Sequence, residues 1–438
     1  MKQRISLNIF IFSLQVAVND RDFDIVARNV ILLLTALHFG PGEATAIMLH
    51  IWYSALIPEQ MFRSLQDNIL PLIQKVCAKI REKPAMSLQS KTWRYGARSL
   101  RLVLQKAMWD RLPSYLQVPD GLSMAEAQNV MSSTTLAPER RDYVDRALYT
   151  RPPPWRVCIT KFRKDGILLP FGQSRRGFDT PNPTLYQTTD FWPMMDSADP
   201  SEGWPVKEVI RKAPLAKNDI YGSLFMYIQG ILLKFCHQIE RLKICFQLFQ
   251  VDALELPSII KQSGMGKYYF DRIEVSNIGD RGYIGPQTTL STFGPLLKRK
   301  TQNSHATLLA LFLNAVHEVS TPMDNLNAIK SESDELRQYL PASPAMFQNR
   351  DSYDADFMRF NDARMMFRDF DKLFKRFMYE CRFEEIGKAA GLKVKSNNTI
   401  IEPWPMRLKK NATQDEFNIF LASGHIGSER YVEWESVA

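Results

Sequence analysis

Apolar residues recur at helical spacing from Arg21 to about Lys106. A broad apolar face from Asp22 to Phe39 predicts a helix that stops at the breakers Gly40-Pro41-Gly42. Amphipathic runs over Ala44–Leu56 and Glu59–Arg81 predict two more, with Pro58 and Pro84 at their boundaries. Basic and aromatic residues mix from Ser87 to Tyr115 (Trp93, Arg94, Tyr95, Arg98, Arg101), which reads as a helix with a basic, solvated face. Ahead of all these, Val16–Asp20 is a short apolar strand with the polar tip Asn19-Asp20. Ile5, Leu7, Ile9 and Ile11 alternate as in a strand. Lys2 and Arg4 before them resemble a leader peptide, but Asn8, Ser13 and Gln15 break its apolar run.

The pattern changes at Arg151. From there to Pro205, prolines and glycines forbid long elements while aromatics demand burial, which predicts short strands and ordered loops. Asp219 to about Leu242 is apolar on most sides and reads as a buried helix. Two strand-to-loop units follow: Ile244–Val251 ending in Asp252, and Phe270–Ile278 ending in Gly279-Asp280-Arg281-Gly282. A short helix is expected near Pro257. Helical text resumes in TTLSTFGPLLK and SHATLLALFLNAVHEV, then over Asp356–Ala390. Strand-like runs at Asn398–Leu408 and Phe417–Trp434 predict an antiparallel pair at a sheet edge.

Apolar strands with polar tips, alternating with helices, argue for an α/β protein with a mostly parallel sheet. Four segments are expected. Residues 1–42 give a first strand and helix, and 43–218 a mainly helical insertion with a Pro/Gly-rich region. Residues 219–319 hold the remaining βα units, and 320–438 the C-terminal helices and edge hairpin.

Composition narrows the chemistry. The 438 residues are 45% hydrophobic and 24% charged, which suits a globular protein with an ample core. The +9 formal charge sets 56 basic against 47 acidic residues, so a nucleic-acid role would rest on local clusters. These are Lys298-Arg299-Lys300, Lys409-Lys410 and the Trp93–Arg101 region. The five scattered cysteines contain no CxxC pair, which points to reduced thiols in the cytoplasm or nucleus. His305 and His317 lie twelve apart on one predicted helix, too far to share an ion, and no metal is expected. No stretch is long and apolar enough for a membrane span.

The strand tip at Asp20 is the clearest candidate site. In a doubly wound sheet a strand's carboxyl end opens on the ligand crevice, where a carboxylate can accept from two ribose hydroxyls. The same carboxylate could instead cap the following helix. No glycine-rich loop precedes it. The spaced glycines Gly264-Met265-Gly266 come between later strands and read as a turn.

The stretches DRDFDIVARN, DGILLPFG, FDTPNPTL, AKNDIYG, VDALELP and FDRIEVSN, from about Val16 to Val319, carry a resemblance. They resemble a largely fungal family of uncharacterised proteins related to the N-terminal domain of dynein axonemal assembly factor 3. That domain is similar to class I S-adenosylmethionine-dependent methyltransferases. The resemblance implies a partial or degenerate Rossmann-like sheet, truncated at its N-terminus relative to the family. It implies Asp20 for the ribose of S-adenosylmethionine and Asp252 for the adenine amino group. Ser276, Asn277 and Asp280 would lie where donor and acceptor meet. Two functions stay open: a non-catalytic adaptor or assembly factor with a protein partner, or a methyltransferase acting on a small molecule or protein.

Overall fold

The computed structural model describes residues 14–262, 269–341 and 354–437. The expected strand at Ile5–Ile11 and the turn at Gly264-Met265-Gly266 lie outside the described residues. The chain divides into two units, Met1–Asp145 with Pro153–Ala253, and Arg146–Pro152 with Leu254–Ala438.

The first unit is organised by its tip strand. Strand β1 (Leu14–Asp20) runs straight into helix α1 (Phe23–His38). The Asp22 side chain accepts from the Asp24 N–H at the start of α1, which fixes where the helix begins. Helix α2 (Pro41–Tyr53) restarts after Gly40 with proline in its first turn, where no backbone donor is needed. The short strand β2 (Leu56–Pro58) follows, then helices Glu59–Asn68 and Leu70–Lys79, split at Ile69 where one helix was expected.

The first correction lies over Ser87–Tyr115. Strands β3 (Leu88–Tyr95) and β4 (Arg98–Gln105) form a hairpin there, not a helix. Gly96 supplies the positive φ of 62° in its two-residue turn. Leu100, Leu102 and Leu104 are fully buried and alternate with half-buried neighbours, a period of two. Trp93 is buried against Trp109 and so cannot stack on a base. The Pro/Gly-rich stretch likewise holds a helix, Pro153–Asp165, before strand β5 (Phe178–Pro181), which pairs with β2.

Helix Ile220–Arg241 forms where expected, with Asp219 capping its first turn, and delivers the chain to β6 (Ile244–Gln250). The first sheet has the order β1-β6-β4-β3, and β6 runs parallel to both neighbours. Four consecutive residues of β6, Phe246–Phe249, are buried, as a strand covered on both faces requires. The stretch expected to be an insertion thus supplies two strands to this sheet.

The second unit holds its own sheet. Strands β7 (Arg272–Glu274), β8 (Thr307–Phe312), β9 (Leu392–Val394) and β10 (Arg430–Ser436) take the order β7-β8-β10-β9. Only β7 and β8 are parallel. Three further expectations are corrected. The single helix drawn through SHATLLALFLNAVHEV is instead strand β8 followed by the short helix Ala315–Val319, so that His305 lies before the strand and His317 on the helix. The span Asp356–Ala390 is three helices, Ala355–Arg364, Phe370–Glu380 and Phe383–Ala389, interrupted by the Asp369 cap and by Arg382 at φ 52°. The expected edge pair in the tail is absent among the described residues. Helix Gln414–Ser423 holds Phe417, and β10 pairs on both sides inside the sheet.

The protein is therefore a mixed α/β structure with parallel pairing in both four-stranded sheets. The single sheet expected from the sequence is replaced by two four-stranded sheets and the separate β2–β5 pair. Among the described residues no helix is long and apolar enough to cross a membrane.

Candidate functional site at the strand ends

Parallel pairing puts the carboxyl ends of β1 and β6 side by side, with Asp20 in register with Gln250. Asp20 and Asp252 thus share one rim of the first sheet, as the sequence suggests. The side chain between them is one that sequence reasoning passed over. Asn19 Nδ2 donates to the Val251 carbonyl at 3.0 Å, and Asn19 Oδ1 accepts from the Val251 N–H at 3.2 Å. An amide has one donor and one acceptor face, so it can mimic a ladder pair where the backbone ladder ends. Asn19 staples the two strand ends together.

Asp20 is used locally. Its Oδ1 accepts from the Asp22 N–H at 2.8 Å, shaping the turn from strand to helix. Asp22 in turn holds the Asp24 N–H, and Asp24 takes Arg111 Nη2 at 2.9 Å and the Tyr115 hydroxyl. Burial, then that carboxylate, pushes the Tyr115 phenol up, so it stays a proton donor.

The remaining candidates belong to the second sheet. Ser276 follows β7 at φ 47°, its carbonyl accepting from the Leu311 N–H at 2.9 Å on β8. Its hydroxyl donates to Asn277 Oδ1 at 3.4 Å. Asp280 is fully buried. Its Oδ2 accepts from Leu313 N–H and Asn314 N–H, both at 3.1 Å, and from Asn314 Nδ2 at 3.2 Å. Its Oδ1 has no partner, and burial raises its pKa above the usual range for an aspartate. This group ties the loop after β7 to the end of β8, much as Asn19 ties β1 to β6. The two clusters that the resemblance would gather on one rim are carried by separate sheets.

Two further groups of buried charge in the second unit left no mark on the sequence reading. Glu433 on β10 is fully buried and accepts from Lys395 Nζ, Thr399 N–H and hydroxyl, and the N–H groups of Ile400 and Ile401, at 2.6–3.2 Å. Burial alone would raise its pKa, but those donors outweigh it and hold it near 2. Glu332 is held by Arg364 and Arg368, and Arg368 also lines a cavity of about 230 Å³ with His317 and Asn325. Among the described residues no group of three His, Cys, Asp or Glu side chains could hold a metal ion.

A family model described as a domain of unknown function (DUF4470) matches residues 12–57, the span from β1 through α2 into β2. No curated protein and no solved structure matches the chain.

Both staples can be tested one residue at a time. Asn19→Ala removes two hydrogen bonds and should cost about 1–2 kcal/mol, read as faster exchange of the Val251 amide proton. Asp280→Ala strands two backbone donors but also removes a buried carboxylate, for a net loss of about 2 kcal/mol. Amide exchange at Leu313 and Asn314 should rise with it. Unchanged exchange at these sites would show that the staples carry no load.

Proposed function

We propose that this chain is a methyltransferase-like α/β protein that acts through its surfaces as an adaptor or assembly factor, without catalysing a reaction. The observation that carries this reading is the use made of the strand-end side chains. Asn19 and Asp280 are spent on holding neighbouring strands, and Asp20 on the turn into α1. A nucleotide site needs such side chains turned toward a ligand, whereas here each is anchored to the chain's own backbone through at least one oxygen. The kinship with the largely fungal family belongs to this proposal, supported by DRDFDIVARN falling inside the matched span. A cytoplasmic or nuclear setting fits the five scattered cysteines.

One observation favours the alternative, an S-adenosylmethionine-dependent methyltransferase: Asp20 and Asp252 do follow adjacent parallel strands at the same end. Calorimetry with S-adenosylmethionine and with its demethylated product separates the two. No heat at near-millimolar ligand is expected, together with recovery of a protein partner on the tagged chain. Binding heat that disappears in Asp20→Asn, a change that keeps the turn acceptor, would replace the adaptor by the enzyme.

A further inference from the structure

Arg430 opens strand β10, and among the described residues its guanidinium donates to no protein acceptor. Its Nε is buried and without a partner. A guanidinium carries five N–H groups and cannot shed its charge by deprotonating, so leaving it unpaired in a partly desolvated site is costly. Burial indeed lowers its pKa. The nearby acids are engaged elsewhere. Asp371 takes Arg407 Nη1 at 2.7 Å and Trp404 Nε1 at 2.8 Å, and Glu433 is saturated by Lys395 and the 399–401 backbone. Arg407, Arg430 and Asp371 together leave one positive charge uncancelled. Lys395 and Glu433 cancel each other.

The surroundings look built to hold this cation in place. The ring of Phe374 lies 5.3 Å from the guanidinium carbon and that of Trp404 5.0 Å. Two aromatic faces fix the fork's orientation but accept no N–H bond in its plane. Beside it lies a cavity of about 180 Å³, the volume of roughly six waters. Val394, Val432 and Met378 give it apolar walls, and Asn397 and Ser396 supply polar groups.

We propose that this cavity is a binding site for a carboxylate, taken by the Arg430 fork with the ligand's short carbon stem against Val394, Val432 and Met378. A carboxylate matches the fork with two parallel hydrogen bonds, which a spherical anion such as chloride cannot do. The small volume admits a free organic acid or the terminal carboxylate of a peptide. The inference is independent of the adaptor reading and of the first unit.

The test is calorimetry on the full chain with acetate, butyrate, and a short peptide bearing either a free or an amidated C-terminus. Butyrate should bind more tightly than acetate, and chloride should give no comparable heat. Arg430→Met should weaken binding at least tenfold, the loss of a charged pair of hydrogen bonds. Because it removes an unpaired cation, that variant should melt no lower than the parent, which separates a lost site from a lost fold. Arg430→Lys keeps the charge and should recover only part of the affinity. If only the free-terminus peptide binds, the source is a peptide; if butyrate binds as well, a free acid suffices. Absence of heat with every carboxylate, equal heat with chloride, or undiminished binding by Arg430→Met would overturn the assignment.

Discussion

Replacing Glu433 with alanine is expected to destabilise the second unit by about 4 kcal/mol, the usual size when one partner of a buried ion pair is removed. The loss has two parts. Lys395, with its side chain only 8% exposed, would keep its charge and lose its counter-ion. The N–H groups of Thr399, Ile400 and Ile401 would lose the acceptor that folds their loop over β10. The double variant Glu433→Ala with Lys395→Met should recover part of this, since no stranded cation remains. Melting followed by near-ultraviolet circular dichroism would read the change, because Trp434 sits beside this residue in the core. A double variant no better than the single one would place the whole cost in the loop.

Mild acid is expected to weaken the first unit before the second. His50 is 5% exposed, bonded through Nδ1 to the Ser54 hydroxyl at 3.0 Å, and packed edge-on against Phe178. Burial lowers its pKa to about 4. The unfolded chain therefore takes up the proton first, near its ordinary 6.5, while the folded chain resists it down to about 4. Stability is full above that window and falls as pH drops through it, by about 3 kcal/mol in total. Glu433 acts lower down. Its folded pKa near 2 lies below its ordinary 4.5, so its contribution is present above 4.5 and lost as pH falls toward 2. Melting temperatures from about pH 7 to about pH 4 should fall for the parent and stay flatter for His50→Asn, which can keep the bond to Ser54. Equal slopes would refute the assignment to His50.

Much of the first unit could be read from residue order. Asp22 and Asp219 are local signals, and the helices they open formed within a residue of expectation, whereas α2 begins at Pro41, three residues before the expected Ala44, and takes Pro41 and Gly42 into its first turn. The shared rim of Asp20 and Asp252 was legible for the same reason, as each follows a short apolar strand. The hairpin was misread because Lys91, Arg94, Arg98 and Arg101 fall three and four residues apart, the spacing of one polar face of a helix. Leu100, Leu102 and Leu104 repeat every second residue and Gly96 marks the turn, so the signal was there. Strand β8 is different: after Thr307 the run LLALF is apolar throughout, and such a run carries no period by which strand and helix differ. Nothing local to Lys395 announces that it shares one buried neighbourhood with Arg430 and Glu433 of β10, more than thirty positions further along the chain. The division into two four-stranded sheets and a separate pair was likewise invisible, because strand partners are chosen by tertiary packing.

The central place of β6 also sets a timetable for synthesis. Asn19 and Val251, joined at the strand ends, are separated by 232 positions. At ordinary translation speeds, β1 leaves the ribosome roughly 10–50 s before the strand it needs. Until then β1 and the β3–β4 hairpin present bare backbone that any passing strand could match. Nascent chains paused before Ile244 should therefore recruit chaperones strongly, and chains paused well beyond Gln250 should release them.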